Sequence, residues 1–364
     1  MPSSAPVGAS TLVAYRGREP HPCGATTVYF HNKCPDGTTG AYTFFASFPE
    51  DVRAALGAAH GAVCSADSAG SPDLAALLAQ GLPMFIGIAP GDQAVLDPRG
   101  YAGRHVYFVD VAHSAAVLLA VRAAALSLLV VDHHRSNQRT LAGLAGQVDS
   151  VFDECESGAT LAHMTVAPFT PMPRLYMYVK DRDLWQYALP DSRAVSEGLF
   201  VGRHLRSFPA IEAALAAWPE LEPQLTARGQ ACLDYKAVIV ASHVAHAQLA
   251  TVAVAGPGLR AEYTVRVVAA TMCGSEIGEA LMLTAAAADG VDFAATTQYV
   301  HRSGETWVSL RTTRDDVDLS AIAPHVRGAI RGGGHPRAAG FTIAGGTPLA
   351  DVFAVKAAAP APLQ

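Results

Sequence analysis

The amino-acid sequence predicts an α/β fold in which a parallel-sheet domain is joined by a helix to a smaller α/β domain. From Thr26 to about Leu199, short apolar runs alternate with helix-compatible segments, and this alternation is typical of parallel sheets. Several of the runs end abruptly in acidic residues and histidines, as at Asp132, His133 and His134. Because ligands bind open α/β sheets beyond the carboxyl ends of the strands, the ends of these runs are also where we expect the functional site.

Five apolar runs are the predicted strands of the first domain. Short runs that are rich in β-branched and aromatic side chains fit strands buried on both faces of a sheet. The five predicted strands cover residues 26–31, 84–88, 105–110, 126–132 and 174–180. Residues 37–46 and 140–147 are predicted to belong to crossover helices, and Ser157 has the character of a helix N-cap before a run of small residues.

The second half of the chain predicts a linking helix and a second sheet. The pattern is helical from Phe208 to about Leu249, with a break near Pro219 and Pro223, and apolar residues recur at helical spacing between 225 and 244. We therefore expect an inter-domain helix followed by a second α/β unit. Its predicted strands are residues 249–253, 263–269, 294–300 and 306–311.

These elements divide the chain into five segments. We expect a leader at residues 1–24, a catalytic domain at 25–200, a helical linker at 201–248, a substrate-binding domain at 249–350 and a tail at 351–364. The leader is rich in Ser, Pro, Gly and Ala and lacks the continuous apolar core of a secretory signal. The most apolar window, residues 115–131, is interrupted by Arg122, so we expect a helix and a strand there rather than a membrane span.

The composition limits the class of substrate and the cellular compartment that we expect for the protein. Half of the 364 residues are hydrophobic and 16% are charged, which allows a large core. Surfaces that clamp long duplex nucleic acid are basic, so a net charge of −6 favours a short or small anionic substrate instead. The six cysteines include no CxxC pair and suggest no disulfide framework. We therefore expect a cytoplasmic protein without a membrane partner, and we leave open whether it is a homodimer.

Acidic residues and histidines at the ends of four runs indicate a metal site. The five side chains that would meet at one edge of one sheet are His31, Asp36, Asp110, His133 and Asp181. Carboxylate oxygens with imidazole nitrogens suit Mg²⁺ or Mn²⁺, and the lack of thiolate pairs argues against structural zinc. Two such ions about 3.5–4 Å apart are the usual clamp for phosphoester hydrolysis, and a shared carboxylate helps to hold their spacing. Asp110 is our candidate for that bridge.

A second candidate site is the segment from Arg331 to Arg337, which consists of Arg-Gly-Gly-Gly-His-Pro-Arg. Consecutive glycines allow backbone N–H groups to approach an anion closely. Arg331, His335 and Arg337 would add charged hydrogen bonds to phosphate oxygens. A glycine-rich turn between a helix and a strand is the structural alternative. The flanking cations, and the local excess of arginine over acidic residues between positions 300 and 340, favour anion binding.

Five motifs occur along the chain in the order FHNKCPDG, YFVDVAH, VVDHH, VKDRDLW and RGGGHPRAAGF. In this order they resemble the DHH phosphoesterases, the superfamily of RecJ-type exonucleases and nanoRNA hydrolases, from about Thr26 to Phe341. The resemblance implies a DHH catalytic domain, a linker helix and a smaller DHH-associated domain whose Gly-Gly-Gly-His loop faces the metal cleft. It also implies Mn²⁺-dependent hydrolysis of phosphoesters, commonly in short nucleotides, with one or two ions bound and with Mg²⁺ or Co²⁺ as other candidates.

Carried over residue by residue, the resemblance implies three groups of functional side chains. The metal ligands would be His31, Asp36, Asp110, His133 and Asp181. His134 would lie close to the scissile phosphate as a catalytic residue, with Asp132 orienting it from behind. The substrate-binding loop would include Gly333, Gly334 and His335, to which we add Arg331 and Arg337 because of their charge.

Thr38 departs from the family pattern. The first motif of the family usually carries a second acid two residues after the first, and this chain has Thr38 at that position. One metal ion would then lose a ligand unless Asp183 or a water replaces it, although Asp183 is equally compatible with a surface position. The number of bound ions therefore stays open. His113 is expected only near the site, and a substrate role for Ser157 competes with its role as a helix cap.

The leading functional expectation is a metal-dependent phosphodiesterase that degrades short oligonucleotides from an end and releases mononucleotides. Within the same chemistry, the alternatives are a cyclic-dinucleotide phosphodiesterase and a phosphoadenosine-phosphate phosphatase. From a different class, the presence of Thr38 permits a catalytically weakened sensor that binds nucleotides and releases them unchanged. Base preference, cleavage polarity and the choice between RNA and DNA stay open.

Overall fold

In the computed structural model of the protein, the described residues are 25–60, 82–92, 95, 97–285 and 289–356. The predicted leader lies outside the described residues, as does most of the predicted tail. The chain divides into two compact units, with the boundary between Leu233 and Asp234. Each unit has its own sheet and its own hydrophobic core.

The first unit is built on a parallel sheet, which has five strands within the described residues. The strands are β1 (Thr26–His31), β2 (Met84–Ile88), β3 (His105–Val109), β4 (Ser127–Asp132) and β5 (Asp149–Phe152). Their order is β2-β1-β3-β4-β5, and each pairing is parallel. The chain runs from β1 to one edge and returns to β3 on the other side of β1. Ligands bind such sheets at this kind of topological switch point.

Helices connect these strands and cover both faces of the sheet. In the described residues of the first unit they are α1 (Pro35–Ala46), α2 (Glu50–His60), α3 (Ala115–Ala124), α4 (Arg135–Gly143), α5 (Gly158–Val166), α6 (Arg174–Asp183), α7 (Ser192–Val201) and α8 (Phe208–Ala216). The crossover helix predicted at 37–46 is confirmed by α1, whereas the one predicted at 140–147 begins earlier, as α4. Ser157 caps α5, as predicted, and its hydroxyl accepts a hydrogen bond from the backbone N–H of Thr160.

Four of the five strand predictions for the first unit are confirmed to within one residue, and the fifth is wrong. Residues 174–180 belong to α6, which begins after Pro173. Leu175 and Val179 are buried while Met177 is 42% exposed, so one helical face packs inward. The run is rich in strand-forming side chains and too short for its period to distinguish a strand from a buried helix.

The strands of the first sheet bury side chains on both faces by strict alternation. Phe30 and Val109 belong to the core on one face, and Tyr29 and Phe108 belong to the core on the other. The rings of Tyr29 and Phe108 stack with their centroids 5.0 Å apart. Because successive side chains of a strand point to opposite faces, the apolar runs seen in the sequence fill both cores. The polar residues that follow the runs are left at the carboxyl edge.

α9 (Trp218–His246) extends across the boundary between the two units. The helical pattern predicted for this region is confirmed, and its break lies at Ala217, two residues before Pro219, whereas Pro223 does not interrupt the helix. Pro219 occupies the first turn of α9, where its missing N–H is not needed, and Pro223 lies inside the helix. None of the helices in the described residues has the length and hydropathy of a transmembrane span.

The second unit contains a mixed sheet, with seven strands in the described residues. The strands are β6 (Gln248–Ala253), β7 (Glu262–Ala269), β8 (Phe293–Val300), β9 (Glu305–Arg311), β10 (Ala329–His335), β11 (Ala338–Ile343) and β12 (Phe353–Val355). Their order is β10-β11-β9-β8-β7-β6-β12, with β7 and β8 parallel and the other pairs antiparallel. The accompanying helices are α10 (Gly274–Leu283), α11 (Leu319–Ile322) and α12 (Leu349–Val352). The four predicted strands, β6 to β9, are confirmed.

The glycine-rich segment forms an edge strand and its turn rather than the expected loop. Residues 331–335 lie in β10, at one edge of the sheet, and pair with β11. A Cβ on Gly332 would lie 2.6 Å from the carbonyl oxygen of Ala323, and a Cβ on Gly334 would lie 2.6 Å from that of Ala338. Two of the three glycines therefore satisfy close backbone packing, a reason for glycine that the sequence pattern did not distinguish from anion binding.

Two predicted segment boundaries differ from the structure. Phe208 and Ile211 of α8 are buried in the core of the first unit, so the predicted linker at 201–248 begins too early. At the carboxyl end, β12 pairs with β6, so the predicted tail at 351–364 starts with residues of the second sheet. Sequence composition alone did not show either packing contact.

Candidate metal centre

Histidines and a carboxylate from three neighbouring strands meet at the carboxyl edge of the first sheet. His31 is the last residue of β1, Asp110 follows β3, and His133 follows β4. His133 Nε2 lies 3.1 Å from Asp110 Oδ1, and His31 Nδ1 lies 3.3 Å from Asp110 Oδ2. The parallel register ends the three strands at the same level and so brings these side chains together.

Asp110 is the centre of this cluster and is 1% exposed. Its backbone N–H donates to the carbonyl oxygen of Val131 at 2.9 Å, and its φ of +59° lies in the left-handed region. Aspartate adopts this conformation more readily than most side chains, and the chain turns sharply there. The carboxylate consequently lies among the imidazoles of His31, His133 and His134, with His134 Nδ1 3.7 Å from Oδ1.

Asp36 enters the cluster from α1 and is held by the amino end of α5. Its Oδ2 accepts a hydrogen bond from the backbone N–H of Gly158 at 2.5 Å, and its Oδ1 accepts one from Ala159 at 3.0 Å. Such N–H groups have no partner within the helix, and the helix dipole favours a negative charge beside them. Asp36 Oδ2 lies 3.7 Å from His133 Nε2, so the same carboxylate also reaches the cluster.

Two glycines allow α1 and α5 to approach the cluster closely. A Cβ on Gly37 would lie 2.4 Å from the carbonyl oxygen of His31. A Cβ on Gly158 would lie 2.5 Å from Cβ of Asp110 and 2.9 Å from Oδ2 of Asp36. Neither position accepts a side chain without displacement of the cluster, because protein interiors are already close-packed.

The fourth ligand-bearing run supplies a different carboxylate from the one that the resemblance implied. Asp183 Oδ2, at the end of α6, lies 3.4 Å from His133 Nε2. The carboxylate of Asp181 instead accepts hydrogen bonds from the backbone N–H groups of Ala188, at 2.9 Å, and Leu189, at 3.1 Å. Residues two positions apart share a face of a strand but not of a helix. The wrong strand prediction for this segment therefore also concealed the difference between the two aspartates.

Three overlapping groups of side chains in the described residues have the spacing of metal ligands. The groups are His31, Cys34 and Asp110; Asp110, His133 and His134; and Asp36, His133 and Asp183. Within each group the ligand atoms lie within 4.8 Å of one another. Asp110 and His133 connect the groups, because each belongs to two of them. Cys34 borders the cluster and belongs to one of the groups.

The chemistry of the donor atoms fits a divalent cation. His31 Nδ1 and Asp110 Oδ2 are buried and have no hydrogen-bond partner among the described residues, although they lie 3.3 Å apart. Buried polar atoms without a partner are rare and costly. A bound cation would satisfy both atoms and would offset the repulsion among the carboxylates of Asp36, Asp110 and Asp183. Oxygen and imidazole ligands suit Mn²⁺ and Mg²⁺.

Burial and like charges perturb the titration of the cluster. Burial, followed by the carboxylates of Asp110 and Asp183, raises the pKa of Asp36 well above its usual value. Burial acts in the same direction on Asp110, but its hydrogen bond with His133 and the nearby imidazoles of His31 and His134 hold its pKa well below the usual value. Burial would lower the pKa of His133, but the three carboxylates around it raise the pKa to about 10. A cation would compete with these protons, so metal affinity is expected to rise with pH.

Asp132 lies behind His134 and is completely buried. Its Oδ1 accepts a hydrogen bond from His134 Nδ1 at 2.7 Å, and its Oδ2 accepts one from Asn137 Nδ2 at 2.6 Å. Burial would lower the pKa of His134, but the bond with Asp132 raises it to about 9. Sequence reasoning missed Asn137. Its position near the start of α4, directly after the motif that contains His134, is the signal that would have found it.

The predicted substrate-binding residues lie in the second unit, on β10 and its turn: Arg331, Gly333, Gly334, His335 and Arg337. Arg331 forms an ion pair with Glu305 at 2.8 Å, and Arg337 hydrogen-bonds to Asp315. The two arginine side chains are 60% and 66% exposed. Exposed ion pairs contribute little stability, so a phosphate can replace the carboxylate at either guanidinium.

Three other residues that the sequence suggested have local structural contacts. The hydroxyl of Thr38 donates to the carbonyl oxygen of Cys34 at 2.8 Å. Ser157 forms a capping box at the amino end of α5. His113 Nδ1 accepts a hydrogen bond from the backbone N–H of Ser114 at 2.8 Å, and His113 belongs to none of the ligand groups found among the described residues.

Comparisons with known proteins give distant similarities, and no protein-family model matches the chain. An uncharacterised protein of Acanthamoeba polyphaga mimivirus is 23% identical over 257 residues, which are 66% of this chain and 54% of the relative; the chain thus spans about half the length of that relative. The DHH domain of a member of the s1p family of ribosomal proteins has a TM-score of 0.44 and 14% identity, with 88% of this chain and 83% of that chain covered. A pGpG-specific phosphodiesterase from Vibrio cholerae has a TM-score of 0.40 and 10% identity, with 88% and 93% covered. These similarities are too distant to indicate what the protein does.

Proposed function

We propose that the protein is a metal-dependent phosphoesterase of the DHH type, which hydrolyses short oligonucleotides or related small nucleotides to mononucleotides. The observation that carries this proposal is the position of Asp110. Its carboxylate oxygens lie 3.3 Å from His31 Nδ1 and 3.1 Å from His133 Nε2. A buried carboxylate shared by two groups of ligands is suited to holding two cations for phosphoester chemistry. The five sequence motifs of the DHH phosphoesterases support the same class of reaction.

The residues that would hold the cations are His31, Asp36, Asp110, His133 and Asp183. Asp183 takes the place that the resemblance gave to Asp181. When bound, divalent cations supply positive charge that neutralises the phosphoryl oxygens and lowers the pKa of water. Mn²⁺ is the ion that we propose, with Mg²⁺ and Co²⁺ as other candidates.

His134 is the residue that we assign to protonation of the leaving oxygen. Its Nδ1 is bound to Asp132 at 2.7 Å, so its contact with the substrate would be made through Nε2. The side chain is 23% exposed, in contrast to His133, which is 1% exposed. Asp132 is itself fixed by Asn137, and this second contact keeps the imidazole oriented towards the scissile phosphate.

Asp183 favours a hydrolase over a nucleotide-binding sensor. The sensor alternative rests on Thr38, which lacks the carboxylate of the family pattern. Asp183 Oδ2 lies 3.4 Å from His133 Nε2 and supplies the cluster with a carboxylate from another helix. We therefore propose that Thr38 is compensated in this chain. Cyclic dinucleotides and phosphoadenosine phosphate involve the same chemistry, and we keep them as alternative substrates.

The proposed substrate is short, and the proposed compartment is the cytoplasm. The net charge of −6 is unfavourable for long duplex nucleic acid, whose phosphates require a broad basic surface. The six cysteines include no CxxC pair and suggest no disulfide framework, which fits a reducing compartment.

Hydrolysis of a substrate panel tests the proposed function. The panel contains short RNA and DNA, a linear and a cyclic diguanylate, and phosphoadenosine phosphate, each assayed with Mn²⁺ and with EDTA. We expect mononucleotide release from one class of substrate, with Mn²⁺ only. Tight nucleotide binding without turnover across the whole panel would contradict the hydrolase and favour the sensor. Thr38→Asp would then be the variant to assay for restored turnover.

A further inference from the structure

A cavity of about 260 Å³ lies beside the metal centre, within the first unit. It is lined by residues at the start of α1, by α6, and by α7 with the turn that follows it. Asp36 and Asp183, two of the proposed metal ligands, also line it. We call this cavity the basic pocket and define it by Lys33, Arg182, Ser196, Phe200, Arg203 and Arg206. A molecule in the basic pocket would be within reach of the metal centre.

Four cationic side chains line the basic pocket away from the metal ligands. Its cationic side chains are Lys33, Arg182, Arg203 and Arg206. Among the lining residues that the structure describes, the carboxylates are those of Asp36 and Asp183, which we assign to the metal centre. In a chain with a net charge of −6, this group of cationic side chains is suited to an anionic ligand. Guanidinium groups match phosphate especially well because their donors are planar and paired.

Ser196 gives an independent indication of a ligand. Ser196 lines the basic pocket and is 6% exposed. Its Oγ has no hydrogen-bond partner among the described residues. Buried hydroxyl groups are nearly always hydrogen-bonded in folded proteins. A polar group of a bound molecule would supply the partner that Ser196 lacks.

Phe200 adds an aromatic surface to the basic pocket. Phe200 is 50% exposed, and the guanidinium carbon of Arg182 lies 6.0 Å from the centroid of its ring. Leu199 and Leu205 extend the apolar part of the lining. An exposed aromatic ring beside cations is the combination that stacks a nucleobase while the neighbouring phosphate is held by charge.

The turn after α7 directs three of these side chains into one cavity. The backbone N–H of Arg203 donates to the carbonyl oxygen of Phe200 at 3.0 Å, and that of Arg206 donates to Arg203 at 3.3 Å. Arg203 has a φ of +58°, which is uncommon for a residue with a side chain. The chain folds back through these contacts, so that residues 200, 203 and 206 all line the basic pocket.

We propose that the basic pocket binds a phosphate-bearing terminal nucleotide of the substrate, with the base on Phe200 and the phosphate on Arg203 and Arg206. The adjoining phosphodiester then lies at the metal centre. The volume of about 260 Å³ lies just below the roughly 300–1,000 Å³ of most ligand pockets and suits one nucleotide rather than an oligomer. This inference rests on the proposed function and narrows the substrate class to short linear nucleotides with a terminal phosphate. Cyclic dinucleotides lack such an end.

Calorimetric titration of the full chain with AMP and with adenosine, both in EDTA, tests the pocket without hydrolysis. We expect AMP to bind at least about tenfold more tightly than adenosine, since the phosphate adds charged hydrogen bonds. Arg203→Gln and Arg206→Gln should each weaken AMP binding about tenfold. The difference in affinity between AMP and adenosine should therefore become smaller in both variants. Ser196→Ala, a minimal change, should weaken AMP binding about threefold or more. Arg122→Gln, an exposed arginine of α3 outside the pocket, is the matched control and should bind AMP as the wild type does.

The possible results separate this inference from the proposed function. Equal affinities for AMP and adenosine in the wild type would contradict the phosphate site, whatever the protein hydrolyses. The phosphate site would also be contradicted if both arginine variants bound AMP with wild-type affinity and circular dichroism showed that they are folded. If the titrations give the expected result but the wild type with Mn²⁺ hydrolyses nothing in the substrate panel, the nucleotide site stands and the proposed function fails.

Discussion

Asp181 and Asp183 lie two residues apart on α6 and have different partners. Asp183 Oδ2 lies 3.4 Å from His133 Nε2 in the metal centre. The carboxylate of Asp181 accepts hydrogen bonds from the backbone N–H groups of Ala188 and Leu189, in the loop that follows the helix. One aspartate thus contributes charge to the site, and the other ties the end of the same helix to its following loop.

Substitution of these two aspartates should separate metal binding from stability. Asp183→Asn keeps the size of the side chain but removes its charge, so we expect Mn²⁺ affinity to fall at least about tenfold with little change in Tm. Asp181→Asn weakens two partly buried hydrogen bonds and should lower the free energy of unfolding by about 1–3 kcal/mol, and hence the Tm. Titration calorimetry and thermal melts in EDTA measure the two effects. Loss of Mn²⁺ affinity in Asp181→Asn at unchanged Tm would reverse the assignment.

Asp110→Asn should abolish hydrolysis, because Asp110 belongs to two of the ligand groups. We expect the rate with Mn²⁺ to fall by about a thousandfold or more, and His133→Ala to have a similar effect. EDTA should inactivate the wild type, and added Mn²⁺ should restore it. Asp149→Asn, at an exposed position of β5 outside the cluster, is the matched control and should keep full activity. Wild-type rates in both cluster variants would refute the metal assignment.

Gly158→Ala should displace residues of the metal centre, because Gly158 packs directly against them. The new Cβ would lie 2.5 Å from Cβ of Asp110 and 2.9 Å from Oδ2 of Asp36, so one of these residues must move. We expect a loss of about 1–3 kcal/mol in the free energy of unfolding, together with weaker Mn²⁺ binding. Gly143→Ala is the control, because a Cβ there meets nothing within 4 Å. Equal Tm and Mn²⁺ affinity in the two variants would show that the close approach at Gly158 is not required.

Much of the metal centre was predictable from the sequence because each apolar run ended at its polar residue. A parallel sheet places such ends at one edge, and His31, Asp110 and His133 meet there. The prediction was wrong at 174–180, where a short apolar run suits a helix and a strand equally. A strand would place residues 181 and 183 on the same face, so the pattern did not distinguish the two aspartates, and the resemblance indicated Asp181.

Other features were not predictable because they arise from tertiary contacts. The basic pocket combines residues near position 33, residues on α6, and residues on α7 and the turn after it, and nothing in a linear pattern connects these three segments. The sequence pattern of the β10 glycines indicates anion binding, whereas the structure gives Gly332 and Gly334 a packing role against neighbouring carbonyl oxygens. Local sequence patterns identified the residue types at these positions, but they did not show which tertiary contacts those residues make.

Asn137→Ala should slow catalysis without weakening substrate binding. Asn137 Nδ2 donates to Asp132 Oδ2 at 2.6 Å, and Asp132 in turn holds His134 Nδ1. Loss of this support should lower kcat about tenfold while KM changes less than about twofold, because only the orientation of the imidazole is affected. Gln138→Ala, the exposed neighbour on α4, is the control. A parallel loss of kcat and Tm, with the same loss in the control, would indicate a structural role for this helix end instead.

Gly333→Ala should weaken substrate binding if β10 contacts the substrate. A Cβ at this position meets nothing within 4 Å, so the fold should tolerate it and Tm should stay near the wild-type value. A ligand that approaches the backbone at Gly333 would be displaced, so we expect KM to rise about tenfold with kcat nearly unchanged. His335→Ala should act in the same direction, and His301→Ala, at an exposed turn of the same unit, should not. An unchanged KM in both β10 variants would remove this strand from the substrate site, and a raised KM in His301→Ala as well would mean that the effect is not specific to the strand.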